Sequence, residues 1–208
     1  GRATTRSKPT AGPPHSPTTI PTVSTPIRRQ YLEIKQRYPH AIVFFRLGDF
    51  YETFDDDAKL CARELEITLT SKPMGKDLRV PLAGIPYHAV DGYLAKLVTR
   101  GYKVAICEQL EDPATAKGIV ARDVVRVVTP GTVTEGNLLS ADRANYLAAV
   151  TAEGERMGLA YADVTDGTFR VTEVSGEGLQ AQLAAASPAE IVVGDDVEID
   201  PGRGVVTR

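Results

Sequence analysis

The sequence predicts a mixed α/β (α+β) fold: a mixed β-sheet domain flanked by helices, followed by a second mixed sheet that stops early. Three observations predict it. Apolar strand-like runs alternate with helix-spaced apolar residues between 26 and 130. Strand signals crowd together after 145, in the order β, β, β, α, β. The 208-residue chain is 42% hydrophobic and 25% charged, which is ordinary globular composition at a length able to bury a core.

Residues 1–25 read as a disordered leader. Ser, Thr and Pro dominate it and large apolar residues are scarce, so it buries too little surface to offset the entropy of ordering. Thr25-Pro26 is a helix start, with Thr25 as N-cap and Pro26 at the first helical position. Ile27, Tyr31, Ile34 and Tyr38 then recur at helical spacing until Pro39. Ala41-Ile-Val-Phe-Phe-Arg46 is a strand signal bounded by Gly48. Asp55 is placed to cap a helix running to about Glu66, with Ala58, Cys61 and Leu65 inward. Residues 71–86 hold Pro73, Gly75, Pro81, Gly84 and Pro86 and predict a loop-rich stretch. A helix over roughly 88–100 follows, with Tyr93 and Leu97 inward and Gly101 as its C′ residue. Lys103–Cys107 and Asp123–Val128 read as strands. Pro130–Asp142 is polar and linker-like. Tyr146–Val150, Gly158–Val164 and Thr168–Val174 read as strands, with Asp166-Gly167 a hairpin turn. A helix near 177–186 and a strand over Glu190–Val193 complete the pattern. The missing initiator methionine and the short second sheet predict an excised or processed piece.

No run of about 18 apolar residues exists, and no apolar stretch follows the N-terminus, so a membrane span and secretion are not predicted. A cytoplasmic protein is expected. Cys61 and Cys107 lie far apart without a CxxC pair, which predicts two buried, reduced thiols. The net charge of −3 is unevenly spread. Residues 1–30 carry five bases and no acid, 31–130 carry 14 of each, and 131–208 carry five bases and 13 acids. An anion-binding surface must therefore be local.

Several catalytic signatures are absent. Gly75-Lys76 precedes Asp77, so there is no P-loop, and neither HExxH nor GxSxG occurs. His15, His40 and His88 are too scattered to predict a metal cluster. Gly176-Glu-Gly-Leu-Gln-Ala181 matches GxGxxA, with Asp195 and Asp196 downstream. The strand before it alternates apolar with polar, however, whereas a dinucleotide site follows a buried parallel strand. Asp163 and Asp166 invite a two-carboxylate metal nuclease, against a simpler reading as strand and turn residues. Asp55-Asp56-Asp57 could attract a cation, but acids at a helix N-terminus also complement its dipole. The richest segment is Arg46-Leu-Gly-Asp-Phe-Tyr-Glu-Thr-Phe54. If extended, it projects Phe50 and Glu52 from one face.

Gly48-Asp-Phe-Tyr-Glu-Thr-Phe54 resembles the signature of the MutS family of DNA mismatch-recognition proteins. Ala83-Gly-Ile-Pro-Tyr-His-Ala-Val90, Ala105-Ile-Cys-Glu-Gln109, Asp112-Pro-Ala-Thr-Ala-Lys117 and Arg126-Val-Val-Thr-Pro-Gly131 follow in the family's order, and the likeness spans about 26–208. It implies a mismatch-recognition domain over 26–135, a linker over 136–144 and a truncated connector domain over 145–208. That connector is RNase H-like in fold without being a nuclease. The resemblance implies mismatched or looped double-stranded DNA as partner. It also implies a homodimer formed through domains absent here, a MutL-type partner of the full-length protein, and nucleoid association. ATP and Mg²⁺ belong to an ATPase domain that this chain lacks, so no cofactor and no enzyme activity are expected of the chain itself.

The family's Phe-x-Glu reader falls on Phe50 and Glu52. The resemblance implies that Phe50 stacks on a mispaired base from the minor groove of kinked DNA, while Glu52 hydrogen-bonds the base. An ionised carboxylate cannot donate, so a bond to a purine N7 requires a protonated Glu52. Lys72, Lys76, Arg79 and Arg122 are implied phosphate contacts. Leu82, standing where Met is frequent, is an implied groove contact. The rival readings are the Asp163/Asp166 nuclease and a scaffold piece that binds DNA only within the full dimer.

Overall fold

The computed structural model describes residues 25–75, 78–134 and 144–208. The expected leader (save Thr25) and linker (save Ala144) lie outside the described residues. Helix α1 spans Pro26–Arg37. Thr25 caps it as expected, its hydroxyl accepting the Arg28 N–H at 3.3 Å. The buried face carries Tyr31, Leu32 and Ile34. Strand β1, Ile42–Leu47, turns through Gly48-Asp49 into β2, Phe50–Phe54, with Leu47 opposite Phe50. Gly48 has φ +59°, which glycine alone adopts without strain at the first position of a two-residue hairpin turn.

Helix α2, Asp55–Leu65, buries Ala58, Cys61 and Leu65 as the spacing requires. The expectation that Asp55 caps it is corrected: no side chain caps this helix, and the Asp55 carboxylate pairs with Arg28. Asp57 does more than complement the helix dipole. It is buried and accepts the Tyr31 hydroxyl at 3.1 Å, the Lys35 ammonium at 2.9 Å and the Val43 N–H at 3.0 Å. This knot ties α1, β1 and α2 together.

The loop expected over 71–86 is also corrected. Strands β3, Thr70–Gly75, and β4, Leu78–Pro86, pair antiparallel. β3 is the sheet edge, and its register shifts between Pro73 and Gly75. Proline is tolerated at an edge or bulge because the missing N–H breaks no ladder there. A short 3₁₀ turn, Tyr87–Ala89, precedes α3, Val90–Val98, two residues later than predicted. Gly101 turns the chain at φ +86°. Strands β5, Val104–Gln109, and β6, Arg122–Val128, complete a six-stranded sheet of order β3-β4-β2-β1-β5-β6. Only β1 and β5 run parallel. Phe44, Tyr51, Ala83 and Ile85 pack against α2 and α3 on one face. Phe45, Phe54, Met74 and Val80 pack with Tyr31 of α1 on the other.

The second sheet is mixed as predicted. It contains β7 Tyr146–Glu153, β8 Arg156–Asp163, β9 Thr168–Val174, β10 Glu190–Val193 and β11 Val205–Thr207, in the order β11-β10-β7-β8-β9. Helix α4, Gly176–Ala186, contributes Leu179 and Leu183 to its core. β11 is one strand more than the sequence suggested; three residues are too few to show a period. Among the described residues no helix is long and apolar enough to cross a membrane.

Candidate nucleic-acid interface

The tight β1–β2 turn places Phe50 at the first position of β2. It is 48% exposed, whereas Phe44, Phe45 and Phe54 are buried in the same sheet. Strand alternation carries Phe50, Glu52 and Phe54 to one face and Tyr51 and Thr53 to the other. Phe54 and Tyr51 duly enter opposite cores. The extended geometry that puts Phe50 and Glu52 side by side is therefore present.

Across the ladder, Phe50 faces Pro86 and Glu52 faces Gly84. A Cβ on Gly84 would stand 3.7 Å from Glu52 Cγ and 3.8 Å from Phe50 Cδ1. The bare glycine thus leaves a notch beside both side chains. Lys72 reaches in from β3, its ammonium 3.3 and 3.4 Å from the two Glu52 carboxylate oxygens. Leu82 lies opposite Phe54 and half-buried against the α1-side core. Arg79 is exposed and clasps Ser71 across the hairpin, at 3.1 Å to the hydroxyl and 2.9 Å to the carbonyl. Lys76 lies outside the described residues. The structure thus brings Phe50, Glu52, Lys72 and Leu82 to one face of neighbouring strands, whereas Arg79, next to Val80, falls on the other face.

Arg122 stands apart from this group. Its guanidinium donates to the Arg46 carbonyl at 2.7 Å, the Val120 carbonyl at 2.9 Å and Gln30 at 3.1 Å. It also lies over the Phe45 ring. Burial pulls it below the usual arginine pKa. Three internal bonds give this cation a role in holding β1, β6 and α1 together.

Two residues near Phe50 escaped the sequence reading. Arg46 stacks 3.8 Å from the centre of the Tyr87 ring and donates to the Gly48 carbonyl of the turn. The Tyr87 N–H bonds the Asp49 carbonyl at 2.9 Å. Both sides of the Phe50 turn are thereby braced. Each residue lies inside a quoted motif, but 41 positions separate them, so no local spacing reveals the stack.

The other candidate sites resolve differently. The GxGxxA segment follows β9, an antiparallel edge strand. Its helix is capped by Ser175, whose hydroxyl accepts the Gly178 N–H at 3.3 Å. This lacks the buried parallel strand of a dinucleotide site. Asp163 accepts the Asn145 N–H at 2.9 Å and the Thr165 N–H and hydroxyl at 2.9 and 2.6 Å. Burial works to raise its pKa, but these donors prevail and hold it below the usual carboxylate value. Asp166 accepts the Thr168 N–H at 2.8 Å in the expected turn. Both acids are occupied in shaping the β8–β9 hairpin. Among the described residues no group of three His, Cys, Asp or Glu side chains converges.

Residues 25–137 match the family described as MutS domain I, and residues 145–203 match MutS domain II. The chain is 57% identical over 169 residues to the DNA mismatch repair protein MutS of Dehalococcoides mccartyi strain 195, covering 81% of this chain and 20% of that protein. It is 58% identical over 169 residues to the protein of that name from Pelotomaculum thermopropionicum, covering 79% and 20%. Against that of Symbiobacterium thermophilum it is 50% identical over 186 residues, covering 87% and 21%. The chain spans about a fifth of the length of these curated relatives.

Proposed function

The chain belongs to the MutS family, and from that premise we propose that its first sheet is a mismatch-recognition module whose wedge is Phe50. The observation that carries this reading is the exposure of Phe50 at the tip of a braced hairpin, beside three buried phenylalanines. An apolar ring inserted from the minor groove must unstack a base step, at a cost of roughly a few kcal/mol. A mispaired base has already lost part of its stacking and pairing, so it yields more cheaply. The module reads deformability rather than sequence.

Glu52, on the same face, hydrogen-bonds the base against which Phe50 stacks. Lys72 and Leu82 line the approach on that face, Lys76 and Arg79 are further phosphate contacts, and residues 26–135 form the module. Equal numbers of acids and bases over 31–130 suit a site that discriminates by wedge and bend. Much of the phosphate affinity then comes from elsewhere in a longer protein. For that longer protein the reading extends to an ATP- and Mg²⁺-dependent activity in another domain, a homodimer, a MutL-type partner and a place at the nucleoid. This chain contributes no catalytic group. Residues 145–208 act as a connector.

The internal engagement of Lys72, Arg79 and Arg122 favours a second reading, a scaffold piece that binds DNA only within a larger assembly. Titrating the chain against labelled G·T and matched duplexes at low salt separates the two. The wedge reading expects tighter binding to G·T, lost in Phe50→Ala while the fold persists, because the ring is half exposed. Equal affinity for both duplexes would overturn the wedge reading. Binding to neither would favour the scaffold.

A further inference from the structure

The Glu52 carboxylate is not free in the protein without DNA. Its side chain is 17% exposed and lies against the Lys72 ammonium, itself 44% exposed. Sheet order makes the contact: Glu52 on β2 faces Gly84 on β4, and Val80 of the same β4 faces Lys72 on the edge strand β3. Lys72 thus holds Glu52 from the outer side of the sheet, beside the notch at Gly84.

Resting on the recognition reading above, we infer that Lys72 is a positioning residue that parks Glu52 and releases it to the base when a DNA phosphate claims the ammonium. Distances of 3.3 and 3.4 Å are long for a charge-assisted hydrogen bond, which sits nearer 2.7–2.9 Å. The pair is loose and screened by solvent, so it exchanges readily. Lysine suits the task, because its ammonium is a compact charge on a flexible stem with rotatable donors.

The exchange has two consequences. While DNA approaches, the negative charge beside the wedge is masked and does not repel phosphates. Once a phosphate has taken Lys72, the Glu52 charge is uncovered next to the base under inspection. A matched pair then faces an uncompensated carboxylate, whereas a displaced base answers it with a hydrogen bond. Gripping the backbone arms the test of the base.

Side-chain carbon NMR of the Glu52 carboxyl in the free chain tests the pair. Lys72→Ala should move that signal and Lys72→Arg should leave it near its original position; no movement in Lys72→Ala overturns the inference. Adding a G·T duplex to the unmodified chain should shift the signal toward its Lys72→Ala position. No shift with either duplex overturns the exchange. Phe50 ring signals in the same titration report on the underlying reading. If they stay fixed, recognition by Phe50 fails; if they move while Glu52 does not, the exchange alone fails. In binding assays Lys72→Ala should weaken both duplexes on the order of tenfold, and Glu52→Gln should tighten matched-duplex binding more in the chain that keeps Lys72 than in Lys72→Ala, because only there does the carboxylate compete with phosphate for the ammonium. A Glu52→Gln effect of equal size with and without Lys72 would show two independent contacts and overturn the proposal.

Discussion

The Gly131 N–H donates to the Glu190 carboxylate at 3.2 Å, across the junction of the two sheets. Glu190 is 2% exposed. It also accepts the Thr129 hydroxyl from the first sheet's side and the Thr207 hydroxyl, at 2.6 Å, from its own. The Lys103 ammonium stands 3.6 Å away. Removing this carboxylate takes the acceptor from the buried Gly131 N–H and from the half-buried Thr129 and Thr207 hydroxyls. Glu190→Ala is expected to cost about 3 kcal/mol, and Glu190→Gln less, because it keeps an acceptor in place. Urea unfolding followed by tyrosine fluorescence measures both; an alanine variant as stable as the parent would refute the joint.

Two glycines predict opposite outcomes. A Cβ on Gly131 would lie 2.9 Å from Glu190 Cβ and from Leu147 Cδ1, so Gly131→Ala overpacks the junction and should cost about 1–3 kcal/mol. A Cβ on Gly84 meets its neighbours at 3.6–3.8 Å, which is ordinary contact. Gly84→Ala should change stability by less than about 0.5 kcal/mol, yet it fills the notch beside Phe50 and Glu52. Melting curves should separate the two variants, and duplex titrations should show weakened G·T binding for Gly84→Ala alone if the notch admits a base.

Burial pushes the thiols of Cys61 and Cys107 up to about 12, and neither side chain reaches solvent. The thiolate is the reactive form. Ellman's reagent at pH 8 should therefore find no reactive thiol in the folded chain and two in urea. Rapid reaction without denaturant would contradict the packing.

The Tyr51 hydroxyl is raised to about 12, first by burial and then by the Glu108 carboxylate that accepts its hydrogen bond. A pKa raised above its ordinary value near 10 favours the folded state while the phenol stays protonated. This contribution is complete below about pH 10 and is lost as pH rises through about 12. Absorbance titration at 295 nm should show a tyrosine step near 12 that Tyr51→Phe removes. An unchanged profile in Tyr51→Phe would reject the assignment.

Local signals carried much of the fold. The Thr25-Pro26 helix start, the buried run of β1 and the Asp166-Gly167 turn were legible because capping, burial and turn chemistry act within a few residues. The 71–86 hairpin was not, because proline and glycine mark turns only on average. Edge strand β3 loses little by carrying Pro73 and Gly75, whereas Pro81, Gly84 and Pro86 lie on the inner strand β4, paired on both sides, where tertiary pairing overrides local preference; neither position is written in the segment itself. Asp55 misled in a similar way. Its type and place suit a cap, but Arg28, 27 positions away, took the carboxylate.

The sequence alone determined that Phe50 and Glu52 share a face, since that follows from a period of two. It also determined the family, through the order and density of its motifs. Only the tertiary structure decided what else meets that face. Lys72 reaches Glu52 because β3, β4 and β2 lie side by side, Arg46 stacks on Tyr87 because the sheet folds one motif onto another, and Arg122 is drawn into internal bonds. Such meetings depend on strand order and register. Those are settled by burying both cores at once, and no local spacing encodes them.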